Sequence, residues 1–227
     1  MITRKIFPLG AGIALLSVSA VHAASASEVL PFEHATMRVV YSASDDDAEI
    51  LIRATGADPI GQVRIVGPGG TVRLKATFQD GDRLGQADVH FDTPEPSLEA
   101  LMQAYPEGEY RFRGRIAAGE KLAGVAQLSY ELLPAPTILF PRAGETDVPT
   151  EDLEVRWSVP VAPERILLQV EDEKEKVSLS IDLPGDAERF TLPNDWLQPG
   201  ILYTLDIKLI AENGNQTVRD LRFTTAD

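Results

Sequence analysis

The stretch that decides the fold runs from residue 190 to residue 209 and reads FTLPNDWLQPGILYTLDIKL. Apolar and polar residues alternate on both sides of its centre, and four apolar residues recur at every second position from Tyr203 to Leu209. A period of two is typical of a strand with one buried face. Pro193 and the Pro199-Gly200 pair interrupt the alternation, so the stretch predicts a strand, a corner and a second strand.

Tyr203 opens the second of these strands, four residues after Pro199. A tyrosine in this place can fill the end of the core with its ring while its hydroxyl bonds to the upstream backbone, as in the tyrosine corner of immunoglobulin-like sandwiches. Tyr110 follows Pro106 at the same spacing. We therefore predict an immunoglobulin-like sandwich in each half of the chain.

Seven strand segments follow residue 136 within about 90 residues, which is the strand count and approximate size of a constant-type sandwich. Trp157 lies in register with Leu153 and Val155 on the second of these segments, so we expect its ring in the core. Six segments together carry a family resemblance: Trp157, Phe190-Thr191-Leu192, Leu197-Gln198-Pro199-Gly200, Tyr203-Thr204-Leu205, Gly214-Asn215 and Phe223-Thr224-Thr225.

With these segments, residues 137–227 resemble a bacterial fibronectin type III domain. The resemblance implies spacing or protein binding rather than catalysis. The Arg-Gly-Asp tripeptide that some integrin-binding members carry is absent from this sequence. The N-terminal half resembles, more loosely, exported bacterial proteins of unassigned function.

A glycine-rich turn, Gly67-Pro68-Gly69-Gly70, interrupts the strand pattern of the N-terminal half. A phosphate-binding loop would require a helix after the glycines, so that backbone N–H groups point at the anion. Strand-like alternation from Val72 to Phe78 follows instead, and Pro68 has no N–H to donate. The pattern therefore predicts a hairpin.

One short helix interrupts the strands. Leu98, Leu101, Met102 and Tyr105 fall at helical spacing, with Ser97 placed to cap the start and Pro106 to end the helix. The predicted fold class is all-β: two immunoglobulin-like β-sandwich domains in tandem, at residues 34–133 and 137–227, with one short helix in the first.

The segment before the first predicted domain and the segment between the two domains have no strand pattern of their own. We expect residues 24–33 to be an irregular lead-in. Leu133-Pro134-Ala135-Pro136 contains two prolines, which favour an extended, semi-rigid connection that sets the spacing of the two domains.

Residues 1–23 have the three regions of a secretory signal peptide: basic Arg4 and Lys5, an apolar run from Ile6 to Val18, and small residues before a cleavage site after Ala23. The run is shorter than the roughly 20 apolar residues of a membrane span. No cysteine is present to carry a lipid. We predict a periplasmic or secreted protein with no membrane insertion after signal cleavage.

The net charge of −14 argues against binding to nucleic acid, and the sequence shows no basic cluster that would interrupt the acidity. Without cysteine, the chain can form neither disulfides nor thiolate metal sites. We predict no cofactor.

Catalytic residues are difficult to assign. The predicted mature chain has two histidines, His34 and His90, and neither belongs to a recognisable triad or zinc motif. We predict no catalytic, cofactor-binding or metal-ligating residue. Calcium binding by Asp45-Asp46-Asp47 with Glu49, or by Asp80-Gly81-Asp82, remains an alternative to plain solvated turns.

The predicted function is that of an exported, non-catalytic binding or spacing module with a protein partner in a bacterial envelope. Trp196 in the corner and the charged hairpin tip from Glu171 to Lys176 are the positions to mutate first, although the sequence favours packing of Trp196 on the corner over exposure of its ring. A polysaccharide-binding accessory protein and a hydrolase with an unrecognised carboxylate pair are the alternatives.

Overall fold

The computed structural model describes residues 29–78, 87–172, 174 and 178–227. The predicted signal peptide and the Asp80-Gly81-Asp82 turn lie outside these residues. The strands in chain order are β1 (Val29–Pro31), β2 (His34–Ser42), β3 (Asp47–Thr55), β4 (Ile60–Val66), β5 (Val72–Thr77), β6 (Asp88–Asp92), β7 (Gly108–Ile116), β8 (Lys121–Leu128), β9 (Thr137–Phe140), β10 (Glu154–Ser158), β11 (Arg165–Asp172), β12 (Ser178–Pro184), β13 (Arg189–Thr191), β14 (Leu202–Ile210) and β15 (Gln216–Thr224). The α-helix, α1, spans Leu98–Ala104.

The strands form three sheets, with the orders β1-β8-β7-β4-β5, β13-β10-β9 and β12-β11-β14-β15-β2-β3-β6. We call residues 29–133 the first half and residues 134–227 the second half. In the first half, β2-β3-β6 forms one layer and β8-β7-β4-β5 the other. In the second half, β9-β10-β13 and β15-β14-β11-β12 repeat that arrangement strand for strand. The predicted all-β fold with two sandwich-like layers in each half is confirmed.

Each half has its own hydrophobic core. The first core collects buried side chains from Phe32 to Leu128, and the second collects buried side chains from Val148 to Phe223. These side chains alternate with exposed ones along each strand, as a sandwich with two inner faces requires. The domain boundaries at residues 34–133 and 137–227 stay a prediction.

A tyrosine closes one corner in each half. Tyr203 on β14 is buried, and its Oη accepts a hydrogen bond of 2.9 Å from the Gln198 N–H. Tyr110 lies on β7, the strand equivalent to β14, and its Oη donates to the Pro106 carbonyl at 2.9 Å. Both predicted corners are confirmed, and the hydroxyl is the acceptor at Tyr203 but the donor at Tyr110.

The glycine-rich turn is a hairpin connection, as predicted. Pro68–Gly70 forms a single 3₁₀ turn between β4 and β5, with Gly69 at φ 71°. Gly67 lies against the corner tyrosine, and a Cβ at this position would approach the Tyr110 ring to 2.7 Å. Glycine is therefore required here for close packing and not for phosphate binding.

The predicted helix is also confirmed. The Ser97 hydroxyl accepts from the Ala100 N–H at 3.4 Å, and Leu101 inserts into the first core. The Tyr130 hydroxyl donates to the Tyr105 carbonyl at 2.8 Å, where the helix ends. It also lies 3.2 Å from the Leu101 carbonyl, which accepts from the Tyr105 N–H as well. Across the described ranges, no helix has the length and hydrophobicity that a membrane crossing would need.

The predicted irregular lead-in is wrong for its last residues. Val29–Pro31 forms β1, which pairs in parallel with β8. Phe32 then packs edge-to-face on Phe112, with ring centroids 6.2 Å apart. Its ring occupies space that a Cβ at Gly114 or Gly124 would fill, at 2.6 Å and 3.3 Å from ring atoms.

The two halves share one sheet, because β15 pairs in parallel with β2. The pairs in register are Gln216 with Val40, Thr217 with Tyr41 and Val218 with Ser42. The expectation that the proline linker by itself sets the spacing of the two halves is therefore wrong. Backbone pairing between the halves fixes their arrangement directly.

Asn215 ties this joint together from a buried position. Its Oδ1 accepts from the Val39 N–H at 2.9 Å, and its Nδ2 donates to the carbonyls of Ser129 and Glu131 at 2.8 Å and 3.1 Å. Thr217, which is also buried, donates to the Leu133 carbonyl at 2.8 Å. The chain just before the linker is thus held against β15.

We expect Trp157→Ala to destabilise the protein by about 3–5 kcal/mol, because truncation of a buried tryptophan leaves a large cavity. Trp157 is 1% exposed in the second core. Urea denaturation measures the change. Leu139→Ala, at a side chain that is 51% exposed, is the control and should stay within about 0.5 kcal/mol of the wild type. Equal stabilities for the two variants would contradict the strand register.

We expect Tyr203→Phe to reduce the free energy of unfolding by about 1–2 kcal/mol, because the Gln198 N–H loses its acceptor. Tyr110→Phe should have a smaller effect, since it leaves a carbonyl and not an N–H unpaired, and carbonyls tolerate this better. Urea denaturation of both variants tests the order. A larger loss at Tyr110 would show that hydroxyl direction does not control corner stability.

Candidate functional site

A basic surface covers the outer side of the sheet β1-β8-β7-β4-β5. Arg111, Arg113 and Arg115 are exposed on β7, where they alternate with buried residues such as Tyr110 and Phe112. Alternate residues of a strand point to the same side of its sheet. The three arginines therefore form a row along one strand.

Neighbouring strands extend this row sideways. Arg64 on β4 lies opposite Arg113 in register, and Lys75 on β5 lies opposite Arg64. On the other side, Lys121 on β8 lies opposite Arg115. We call the resulting set the basic face; its members are Arg64, Lys75, Arg111, Arg113, Arg115 and Lys121.

Few acidic groups neutralise the basic face. The Arg111 Nε lies 2.8 Å from the Glu109 Oε1, and among the described residues no other member has a carboxylate within 4.0 Å. Arg115 donates to the Gly119 carbonyl at 2.8 Å. Like charges directly opposite each other destabilise a sheet. The pairs of Arg113 with Arg64 and of Arg64 with Lys75 thus retain repulsion that an anion would relieve.

The basic face also has shape and apolar contacts. A depression of about 670 Å³ lies over β7 and β8. Val29 and Val125 line it and are 54% and 57% exposed, and Val72 is 43% exposed on β5. A partner on this face would meet both guanidinium groups and exposed methyl groups.

The sequence-based statement that no basic cluster interrupts the acidity is wrong. The cations come from four strands, so they are dispersed in sequence and meet only in the folded sheet. The alternating arginines at 111, 113 and 115 are the one local signal that could have revealed the face. The exclusion of nucleic acid, which rested on overall charge, stays a prediction.

Trp196 packs on the tyrosine corner. Its ring centroid lies 5.7 Å from that of Tyr203, and the side chain is half-buried against the second core. It does not form an exposed aromatic platform.

At the hairpin tip, Glu171 is exposed, whereas Asp172 is buried and accepts from the Lys174 N–H at 2.7 Å. Residues 173, 175 and 176 of the tip lie outside the described residues.

His90 belongs to a surface network on β3 and β6. Its Nε2 lies 3.2 Å from Asp88 Oδ2, and Asp88 also accepts from Arg53 at 2.8 Å and from the Thr55 hydroxyl at 2.7 Å. The hydrogen bond from Arg53 contributes most to holding the pKa of Asp88 well below its usual range. His34 begins β2, on the other side of β3. The two histidines therefore lie on strands that are not neighbours.

The first acidic turn is held by local hydrogen bonds. Asp46 Oδ1 accepts from the Tyr41 hydroxyl at 3.0 Å, and Asp45 Oδ2 accepts from the Ser42 hydroxyl at 3.2 Å. Within the described part of the chain, no group of three His, Cys, Asp or Glu residues is placed to hold a metal ion. The calcium alternative at residues 80–82 is not tested by this result.

We expect Asp88→Asn to lower stability at neutral pH, and the difference from the wild type to shrink as the pH falls below about 4. The folded-state pKa of Asp88 is depressed from 3.8. Its contribution is therefore complete above the unfolded-state pKa and is lost on acidification. Urea denaturation across acidic pH tests this, with Asp186→Asn in an exposed turn as the control. A difference that is constant with pH would contradict the ion-pair account.

No protein-family model matches the chain, and no curated protein matches it in sequence. Among solved structures, the fibronectin(III)-like modules of Clostridium thermocellum CbhA match with 9% identity and a TM-score of 0.35, over 86% of this chain and 93% of theirs. A two-domain fibronectin type III segment of chicken tenascin matches with 9% identity and a TM-score of 0.32, over 86% and 96%.

The FN1-FN3 domains of chicken CNTN1 match with 11% identity and a TM-score of 0.35, over 88% of this chain. The chain spans 65% of that segment. The chain resembles fibronectin type III modules, as the sequence motifs of residues 137–227 implied.

Proposed function

We propose that this protein is an exported, non-catalytic module of a bacterial envelope that binds a protein partner through the basic face. The observation that carries the proposal is the collection of six cations that have, among the described residues, one carboxylate partner, on a chain whose net charge is −14. Export is proposed from the signal-like residues 1–23. Such a concentration of guanidinium groups favours association with an anionic partner.

The joint between the halves supports a role in presenting that face. β15 and β2 pair directly, and Arg219 Nη1 adds a bond of 2.7 Å to the Ala43 carbonyl. Ser44 and the Asp220 backbone exchange two further hydrogen bonds, of 3.2 Å and 3.1 Å. A partner bound to the first half is thereby held at a set distance from anything attached to the second half.

The two alternative functions have less support among the described residues. A polysaccharide-binding surface is typically built from exposed aromatic rings, whereas Trp196 is half-buried on Tyr203. A hydrolase with a carboxylate pair would need two acids facing each other across a cleft. The described lining of the depression over β7 and β8 contains cations and no carboxylate. His90 lies on an outer strand, with its side chain 62% exposed and Asp88 as its ion-pair partner.

We expect Arg64→Gln/Arg113→Gln to lose a partner that the wild type captures from envelope extracts, because these two arginines have no carboxylate of their own within 4.0 Å in the described structure. Arg142→Gln/Arg189→Gln, on the second half, changes net charge equally and should retain the partner. Co-purification with crosslinking measures capture. The same proteins are assayed for hydrolysis of peptides, esters and glycans. Turnover that one Asp, Glu or His substitution abolishes in a folded protein would overturn the proposal.

We expect Asn215→Ala to loosen the joint, because it removes the side-chain bonds to Val39, Ser129 and Glu131. The chain lacks cysteine, so Val125→Cys and Leu139→Cys at exposed positions allow specific spin labelling of each half. The distance distribution between the labels should broaden in Asn215→Ala. An unchanged distribution would show that backbone pairing alone fixes the arrangement.

A further inference from the structure

We propose that the occupant of the basic face is an extended, glutamate- or aspartate-rich segment of polypeptide that lies along β7. This inference rests on the proposed function, because it names the chemistry of the partner that the basic face would bind.

The spacing of the arginines matches that of an extended chain. Arg111, Arg113 and Arg115 occupy alternate positions of one strand, and alternate residues of a strand are about 6.8 Å apart. An extended peptide presents every second side chain at the same repeat. Three alternate carboxylates can therefore face three guanidinium groups, and each pair can form two parallel hydrogen bonds.

The valines distinguish a peptide from other anionic polymers. Val29 and Val125 line the depression on the same side of the sheet as the arginines, and can receive an apolar side chain that stands in the same alternate row as the carboxylates. Proteins bind single-stranded nucleic acids by combining a positively charged groove with aromatic rings on which the bases stack. On the described part of this face the lining aromatic residue is Phe112, which is 1% exposed and unavailable for stacking.

The net charge of −14 favours a slender segment over a second copy of the chain. Surface charges are screened beyond about 8 Å at physiological ionic strength, so a narrow acidic segment mainly experiences the basic face. A second copy would bring its own acidic surface close to the remainder of this one. Asp and Glu outnumber Lys and Arg two to one in residues 134–227, which increases that repulsion.

The test measures binding of a short fluorescent peptide that alternates Glu and Thr to the full purified protein, by fluorescence anisotropy at low and high salt. A peptide with Gln in place of Glu is the uncharged control. We expect the Glu peptide to bind, with an affinity that falls as salt rises. Arg64→Gln/Arg113→Gln should weaken binding on the order of tenfold, whereas Arg142→Gln/Arg189→Gln should change it by less than about twofold. Circular dichroism confirms that both variants remain folded.

Four outcomes would overturn the proposal. Equal weakening by both double variants would show that binding follows net charge and not the face. Binding of polygalacturonate or a single-stranded oligonucleotide, without binding of the Glu peptide, would assign the face to a different polymer. Self-association that Arg64→Gln/Arg113→Gln abolishes would make a second copy the occupant. If none of the probes binds, the proposal of an acidic segment is rejected.

The partner-capture experiment separates this inference from the function beneath it. Capture of a partner that depends on Arg64 and Arg113, together with failure of the Glu peptide, would leave the binding function intact and reject only the acidic segment. If the protein captures no partner that depends on Arg64 and Arg113, and the Glu peptide also fails to bind, the binding function is rejected as well.

Discussion

Parallel pairing of β15 with β2 is the interaction on which the arrangement of the whole molecule depends. A sandwich leaves unpaired backbone groups at the edges of its sheets, and such edges invite unwanted association. In the first half, the edge of β8 is covered by β1, which also pairs in parallel. In the second half, the equivalent edge of β15 is covered by β2 itself. The first half thus supplies the edge strand of the second, and one sheet of seven strands results.

The sequence predicts those features whose causes are local. Alternation of apolar residues predicts the strands. Ser97 and Pro106 predict the two ends of α1. The spacing of Tyr110 and Tyr203 after prolines predicts both corners. The joint has no local signal. Asn215 lies 176 residues from Val39, with which it bonds, and nothing in the Gly214-Asn215 turn indicates that partner. The two prolines of the linker are the local feature that separates the halves in the sequence, so the spacing of the halves was predicted from them.

The basic face was not predicted from the sequence for a related reason. On β7 the apolar phase of the alternation identifies the strand, while Arg111, Arg113 and Arg115 occupy the other phase and are easily taken for ordinary solvated residues. Their meaning depends on Arg64 and on the other strands, whose register against β7 no single segment reveals. A net charge of −14 further conceals the face, because an average over the chain cannot describe one side of one sheet.

The repeated topology provides an internal control for the basic face. Tyr110 and Tyr203 are equivalent corner residues, so the positions of Arg111, Arg113 and Arg115 on β7 correspond to Thr204, Asp206 and Lys208 on β14. The same strand in the same fold therefore accepts other residues: Asp206 pairs with Lys208 at 3.4 Å, and burial raises the pKa of that carboxyl. The sandwich does not require a row of arginines at this place. Between the two equivalent strands, the row and the repulsion it retains belong to the first half, and the anionic partner that we propose would relieve that repulsion.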